Sequence, residues 1–185
     1  MPNLTRLKNL ILEKSYEKRK VTLASGKESD FYFDGKQTSL HPEGAYLIGT
    51  LMYELITSKI QGVEAIGGPT LGADPIATAV AIASHLSLHR LLPAFIIRKE
   101  PKKHGTGMWV EGMKNLHEGM PVVIVEDVIT TGGSVKFAID KALESGLKVV
   151  GVCVIVDRQE GGKEDLEAHY KIPVYSLFTK SDLIS

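Results

Sequence analysis

The stretch V-V-I-V-E-D-V-I-T-T-G-G-S-V, residues 122–135, decides the fold class of this chain. Its unbroken β-branched run, residues 122–125, is typical of a strand that is buried on both faces of a parallel sheet. Two acids follow the run, then a turn of hydroxylated residues and glycines, and a helical pattern begins at Ser134. The stretch therefore predicts a buried strand, a tight turn and a helix, with polar side chains between the two regular elements.

The acids and the turn favour a site for a phosphorylated sugar. A Gly/Thr-rich turn that opens a helix presents free backbone N–H groups and the positive helix end to an anion. We assign a phosphate to residues 130–134, and the vicinal hydroxyls of a ribose, or a bound metal, to Glu126 and Asp127, which we expect at a solvent-facing strand end. The alternative is an ordinary strand–turn–helix with solvated acids. The stretch matches neither a Walker A loop nor a G-x-G-x-x-G fingerprint.

Composition indicates one globular domain over residues 1–185. Hydrophobic residues make up 43% of the chain, and 22 Lys and Arg balance 22 Asp and Glu, which argues against a nucleic-acid partner or a polybasic membrane surface. Cys153 is the one cysteine, so no disulfide can form within a single chain. The charged N-terminus is unlike a secretory signal, and no apolar stretch reaches membrane-spanning length. We therefore expect a cytoplasmic protein with no membrane partner.

Helices and strands are expected to alternate along the chain. Apolar periodicity and helix-start signals predict helices near residues 4–16, 42–60, 75–87, 134–145 and 161–170, and apolar runs predict strands near 63–68, 94–98, 122–125, 149–156 and 174–178. This order is typical of βαβ units with right-handed crossovers, so we predict a doubly wound α/β fold with a mainly parallel sheet. Residues 1–40 add a small N-terminal segment, in which a helix precedes a turn-rich stretch around a short aromatic strand.

Unusual chemistry follows four of the predicted strands. The segments are G-G-P-T-L-G from Gly67, R-K-E-P-K-K-H-G from Arg98, E-D-V-I-T-T-G-G from Glu126 and D-R-Q-E-G-G from Asp157. Ligands of open α/β sheets bind outside the carboxyl ends of the strands, so we expect these segments to meet at one site.

Positive charge is concentrated in the segment after Arg98, which we call the cationic loop (residues 98–107). It holds Arg98, Lys99, Lys102, Lys103 and His104, and G-T-G follows them. Such loops are usually solvated surface, but a neutral chain that gathers cations beside a phosphate motif suits a diphosphate leaving group. Trp109 lies just beyond the loop, where it could either seal a closed lid or pack against a neighbour.

These segments together resemble one enzyme family. Residues 122–135 resemble the phosphoribosyl-diphosphate (PRPP) motif of type I phosphoribosyltransferases. The cationic loop resembles the R-K-x-x-K-x-H-G loop of the orotate phosphoribosyltransferases, residues 22–34 (T-L-A-S-G-K-E-S-D-F-Y-F-D) resemble the hood that covers orotate, and D-R-Q-E-G-G resembles the orotate-side segment. The resemblance implies the reaction of orotate with PRPP to give orotidine 5'-monophosphate and diphosphate, a step of pyrimidine synthesis.

The resemblance also implies a role for each site residue. Catalytic roles fall on Lys102, His104 and Asp127. PRPP contacts fall on Arg98, Lys99, Lys102, His104, Glu126, Asp127, Val128, Ile129, Thr130, Thr131, Gly132, Gly133 and Ser134. Orotate contacts fall on Thr130 and Arg158, since a guanidinium suits a carboxylate, although an arginine at a strand end is often a surface residue.

A cofactor and a partner follow from the same resemblance. Mg²⁺ is expected to be carried mainly by the diphosphate and the ribose hydroxyls of PRPP, without direct protein ligands. The protein is expected to be a homodimer in which the cationic loop acts across the subunits.

Two positions depart from the family pattern. Ala24 stands where some members carry Lys before the Ser-Gly of the hood, and Leu71 and Gly72 stand where some carry Tyr-Lys. Both departures remove a cation from the diphosphate side, and Lys27 is a candidate replacement.

Two other functions stay open at this point. A purine phosphoribosyltransferase would share the PRPP motif, but the F-Y-F-D of the hood and Arg158 argue against it. A non-catalytic PRPP-binding regulator would share the fold, but the complete cationic loop favours an enzyme.

Overall fold

The structure is a computed structural model that describes residues 2–22, 28–101 and 108–184. Its N-terminal segment contains α1 (Pro2–Lys14), β1 (Tyr16–Thr22), β2 (Glu28–Phe33) and α2 (Lys36–Ser39). The remaining elements are α3 (Pro42–Lys59), β3 (Ala65–Pro69), α4 (Ala73–Ser87), β4 (Ala94–Ile97), β5 (Val110–Glu111), a 3-10 turn (Met113–Asn115), β6 (Pro121–Ile129), α5 (Gly133–Glu144), β7 (Lys148–Asp157), α6 (Gly162–Tyr170), β8 (Val174–Thr179) and α7 (Lys180–Leu183).

A central sheet organises the described part of the chain, with the strand order β5-β4-β3-β6-β7-β8. Strands β4, β3, β6, β7 and β8 are parallel to one another in that order. The edge strand β5 pairs antiparallel with β4. The predicted doubly wound, mainly parallel α/β fold is confirmed. After β3 the chain first adds β4 on one side of β3 and later adds β6 on its other side, so the strand order reverses at a switch point between β3 and β6. Sheets of this kind bind ligands at the carboxyl ends of the strands where the order reverses.

Strand β6 is buried because both faces of the sheet are covered. Val123 and Val125 belong to the apolar cluster that includes α3 and α4, whereas Val122 and Ile124 belong to the cluster that includes α5. Alternate residues thus face opposite layers, as the pleat of a strand requires. This double cover fixes the carboxyl end of β6 at the centre of the molecule.

The predicted elements are present, with shifts at their ends. β6 continues beyond its predicted end at Val125, because Glu126, Val128 and Ile129 still pair with β7. The two acids therefore lie within the strand and not in the turn after it. Strand β1, which is rich in charged residues, was not predicted; it forms an antiparallel hairpin with the aromatic strand β2.

Polar contacts join the N-terminal segment to the rest of the fold. Arg6 on α1 forms an ion pair with Glu43 on α3, with Nε 2.6 Å from Oε1. Ser15 and Thr38 share a buried hydroxyl–hydroxyl hydrogen bond of 2.6 Å. These contacts hold the residues that follow β2 at the carboxyl edge of the sheet. None of the described helices has the length and apolar character needed to cross a bilayer.

Candidate active site

A cavity of about 360 Å³ lies at the carboxyl ends of β3, β4 and β6. Its walls are formed by Lys36, Pro69, Thr70, Leu71, Gly72, Ile97, Arg98, Lys99, Glu126, Asp127, Ser134 and Phe137. Three of the four segments that we expected to meet therefore line one cavity. The fourth, D-R-Q-E-G-G, contacts the turn after β6, since the backbone N–H of Gly162 donates to the carbonyl of Thr130 at 3.0 Å.

The acid pair is buried in the cavity wall. Glu126 and Asp127 expose 6% and 7% of their surfaces, so the expectation of a solvent-facing pair was wrong. Two glycines explain the burial: a Cβ on Gly35 would lie 2.7 Å from Cβ of Asp127, and one on Gly72 would lie 2.4 Å from Oε1 of Glu126. The backbone at Gly35 and at Gly72 thus packs directly against the two acids and shields them from solvent.

Burial changes the protonation of the pair. It raises the pKa of Glu126 to about 8, with the charge of Asp127 as the second cause, and it also raises the pKa of Asp127. A hydrogen bond from the Ser134 side chain opposes the rise at Glu126, and the charge of Lys36 opposes it at Asp127. Burial thus disfavours simultaneous ionisation of the two acids, and Lys36 favours the charged form of Asp127.

Lys36 is a cavity residue that the sequence analysis missed. Its Nζ lies 2.7 Å from Oδ1 of Asp34 and 3.9 Å from Oδ2 of Asp127. The lysine directly follows F-Y-F-D-G, so a cation after the hood was visible in the sequence. Its position beside β6 was not, because it depends on the packing of Gly35 against Asp127. Ala24 and Lys27, the positions discussed for the hood, lie outside the described residues.

The turn after β6 has the geometry of an anion site. Gly132 has φ 83°, in the left-handed region that favours glycine, and α5 begins at Gly133 with its first N–H groups lacking intrahelical partners. A Cβ on Gly162 would lie 2.4 Å from the carbonyl oxygen of Thr130, so α6 can approach the turn only because residue 162 is glycine. Thr131 and Ser134 are exposed and Thr130 is partly exposed, and the Ser134 side chain also hydrogen-bonds Glu126.

The two residues between the acids and the turn differ in exposure. Val128 is partly exposed, but Ile129 is 1% exposed and belongs to the core cluster that includes α5. Any ligand contact of Ile129 is therefore through its backbone.

The cationic loop leaves the sheet from β4. Arg98 and Lys99 line the cavity, and Nη1 of Arg98 lies 2.9 Å from Oε1 of Glu111 on β5. The backbone N–H of Arg98 donates to the carbonyl of Trp109 at 2.9 Å, which closes a short antiparallel stem. Lys102 and His104, to which catalytic roles were assigned, lie outside the described residues.

Trp109 packs against its own chain. Its ring meets Phe137 of α5 edge-on, and Nζ of Lys141 lies 4.4 Å from the ring centroid. Phe137 also lines the cavity. Trp109 therefore packs against α5, the helix that follows the turn at Gly132.

Arg158 is a buried residue, with 7% of its surface exposed, so the interpretation as a surface arginine is wrong. Its Nη2 lies 3.0 Å from Oε1 of Glu160, and its backbone N–H donates to the carbonyl of Ile129 at 3.0 Å. The next residue, Gln159, has φ 58°, and its Oε1 accepts hydrogen bonds from the backbone and the hydroxyl of Ser181. The guanidinium is therefore held by Glu160, and the Arg158 backbone lies against the end of β6.

Among the residues that the structure describes, no cluster of three or more His, Cys, Asp or Glu side chains is arranged to hold a metal ion. The cavity instead combines a buried carboxylate, a helix-opening turn and cations on separate walls. This set can bind a sugar through its hydroxyls and anionic groups at both ends of that sugar.

Comparisons with known proteins agree with this chemistry. Residues 36–178 match the Phosphoribosyl transferase domain. An orotate phosphoribosyltransferase of Sorangium cellulosum is 48% identical over 179 residues, which are 97% of this chain and 92% of the relative. The crystal structure of Mycobacterium tuberculosis orotate phosphoribosyltransferase with Fe(III) dicitrate gives a TM-score of 0.85 at 38% identity and covers 100% of both chains. The structure of the M. tuberculosis enzyme with PRPP gives a TM-score of 0.81 at 36% identity, over 98% and 99% of the two chains.

Proposed function

The chain belongs to the phosphoribosyl transferase family, among its orotate phosphoribosyltransferases, and we propose that it transfers the 5-phosphoribosyl group of PRPP to orotate. The products are orotidine 5'-monophosphate and diphosphate, and we assign this step of pyrimidine synthesis to the cytoplasm. One observation carries the proposal at the level of residues: the buried pair of Glu126 and Asp127 directly adjoins the phosphate turn at the switch point of the sheet.

PRPP binding is proposed along the carboxyl edge of the sheet. The 5-phosphate accepts hydrogen bonds from the N–H groups and hydroxyls of residues 130–134, which open α5. The ribose hydroxyls donate to the carboxylate of Asp127 and interact with Glu126. The diphosphate then extends toward residues 70–72 and the cations Arg98 and Lys99, which line the same cavity.

Orotate is proposed to lie between Thr130 and Arg158. The hydrogen bond between Gly162 and Thr130 joins the segment that holds Arg158 to the phosphate turn. A buried guanidinium favours a planar carboxylate, which it can bind through two parallel hydrogen bonds. This contact supports orotate over an uncharged base.

The chemistry requires little covalent help from the protein. Breaking the bond between C1 and the diphosphate develops positive charge on the ribose and negative charge on the leaving group. Arg98, Lys99 and, by the family resemblance, Lys102 and His104 stabilise the diphosphate, while Asp127 holds the sugar in place. The ring nitrogen of orotate is already acidic, so no strong general base is needed. Mg²⁺, carried mainly by the diphosphate and ribose hydroxyls of PRPP, neutralises part of the leaving-group charge when it is bound.

A panel of bases tests the choice of substrate. Diphosphate release from PRPP and Mg²⁺ would be measured with orotate, uracil, adenine, guanine and hypoxanthine. We expect release with orotate alone. Release with a purine would favour the purine phosphoribosyltransferase, and tight PRPP binding without release for any base would favour the non-catalytic regulator.

A homodimer that shares the cationic loop is the second part of the proposal. Ile82 and Leu86 lie four residues apart on one face of α4 and are 58% and 71% exposed, and Leu71 at the cavity is 64% exposed. Exposed apolar side chains of this size are typical of a surface that a partner covers. A partner that covers Leu71 would place its own loop within reach of the cavity.

Subunit mixing tests the shared loop. Lys102→Ala removes a cation of the donated loop, and Asp127→Asn impairs the receiving pocket. In heterodimers one site then carries both lesions and the other carries neither, so activity should return to at most about a quarter of the wild-type value, from the two-fold symmetry of the dimer. If mixing restores nothing although subunits demonstrably exchange, the loop serves its own chain.

A further inference from the structure

The wall between β4 and β6 is flanked by cations on both sides. β3 lies between β4 and β6 in the sheet, so residues 70–72, which follow β3, lie between Arg98 after β4 and Asp127 on β6. Arg98 and Lys99 supply positive charge on the β4 side. Lys36 supplies it on the β6 side, where its Nζ lies 3.9 Å from Oδ2 of Asp127.

The Lys36 ammonium group is held by Asp34 and retains N–H donors for a ligand. Asp34 accepts hydrogen bonds from the Lys36 backbone at 3.2 Å and from Gln37 at 3.1 Å, and its Oδ1 lies 2.7 Å from Nζ of Lys36. The ammonium group has three N–H donors, and 3.9 Å is too long for a hydrogen bond to Asp127. The Lys36 side chain is 42% exposed, so its remaining donors can face a ligand in the cavity.

On its other side, Asp127 meets a glycine. A Cβ on Gly72 would lie 2.9 Å from Oδ1 of Asp127, so position 72 contacts this carboxylate with backbone alone. A polyanion bound at residues 70–72 would therefore lie against their backbone. It would have Arg98 and Lys99 on the β4 side and Lys36 on the β6 side.

We propose that Lys36 binds the diphosphate of PRPP, as the cation on the β6 side of residues 70–72. This inference rests on the proposed function, because Asp127 is the ribose ligand there and the diphosphate is attached to the carbon next to a ribose hydroxyl. Asp34 keeps the ammonium group beside the cavity, and the diphosphate competes with Asp34 for this group.

Two fragments of PRPP distinguish direct binding of the diphosphate by Lys36 from an indirect effect of Lys36 on the acid pair. Inorganic diphosphate lacks the sugar, whereas ribose 5-phosphate lacks the diphosphate. Each would be titrated by calorimetry, with Mg²⁺ present, into the wild type, Lys36→Met, Lys36→Gln and the charge-conserving Lys36→Arg. Lys59→Met is the matched control, since Lys59 is an exposed lysine at the far end of α3.

Lys36→Met and Lys36→Gln should weaken diphosphate roughly tenfold or more, the effect of a lost charge-assisted hydrogen bond. Binding of ribose 5-phosphate should change less than about twofold, and Lys36→Arg should retain most of the diphosphate affinity. Unchanged diphosphate affinity in the folded Met and Gln variants would overturn the inference. Equal weakening of both ligands would overturn it as well, because Lys36 would then act through the acid pair. A wild type that binds neither ligand would overturn the proposed function itself.

Discussion

The indole ring of Trp109 lies edge-on against the ring of Phe137, with centroids 5.5 Å apart and planes inclined by 76°. Phe137 lines the cavity, and the carbonyl of Trp109 accepts the hydrogen bond of the Arg98 N–H group. This contact therefore connects the antiparallel stem at Arg98 and Trp109 to α5, the helix that follows the turn at Gly132.

Trp109→Ala should destabilise the fold by about 1–3 kcal/mol, since it removes an aromatic pair and part of the apolar cover of α5. Trp109→Phe should retain much of the packing. Lys141→Met should cost about 0.5–1 kcal/mol, since it removes both the cation above the ring and the ion pair with Glu144. Urea unfolding of the three variants measures these differences. A Trp109→Ala protein as stable as the wild type would show that the contact does not hold the stem.

Asp127→Asn should weaken PRPP binding by about 1.5–3 kcal/mol, because it removes a charge-assisted hydrogen bond to a ribose hydroxyl. We expect the fold to be retained, since burial already raises the pKa of Asp127 and an amide relieves the cost of the buried charge. Calorimetry with PRPP, with the exposed Glu54→Gln as control, measures the loss. Equal PRPP affinity in Asp127→Asn and the wild type would refute the ribose assignment.

Glu126 should make the stability of the fold depend on pH. Its pKa rises from 4.5 to about 8 on folding, so the folded protein binds more protons than the unfolded chain between these values. The stabilisation from the neutral carboxyl is thus complete below about pH 4.5 and is lost as the pH rises through about 8. Melting temperatures between pH 5 and about 8.5 should fall more steeply in the wild type than in Glu126→Gln. Parallel curves for the two proteins would contradict the raised pKa.

Arg158→Ala should raise the KM for orotate far more than the KM for PRPP, because the buried guanidinium is assigned to the orotate carboxylate. Glu160→Gln is the companion variant, since Oε1 of Glu160 lies 3.0 Å from Nη2 of Arg158 and is expected to orient it. Steady-state kinetics with each substrate varied in turn provide both constants. If both constants rise equally in Arg158→Ala, the arginine supports the fold or the PRPP site instead.

The architecture could be predicted from the sequence because its signals are local. The β-branched run at residues 122–125 and the alternation of helical and apolar segments were sufficient for a parallel sheet. The end of β6 was placed too early, because hydrophobicity stops at Val125 while backbone pairing with β7 continues to Ile129. Pairing between distant strands leaves no mark on a short window of sequence.

Cavity residues were predicted where a motif contained them, as for Arg98, Glu126 and Ser134, and were missed where tertiary packing placed them there. Thr130 and Arg158 lie in motifs, and the structure joins their segments through Gly162. Lys36 lies in no motif, and it reaches the cavity because Gly35 packs against Asp127. The burial of the acid pair depends on the same contact and on Gly72, which the sequence analysis treated only as a lost lysine.

The most direct measurement of the central claim is the product balance when the purified protein is incubated with orotate, PRPP and Mg²⁺. Loss of orotate absorbance would be followed together with diphosphate, and the nucleotide product would be identified by mass. We predict one orotidine 5'-monophosphate and one diphosphate for each orotate consumed, with a large loss of rate in Asp127→Asn. Persistence of orotate in a folded protein that binds PRPP would contradict the assignment of this cavity as an orotate phosphoribosyltransferase site.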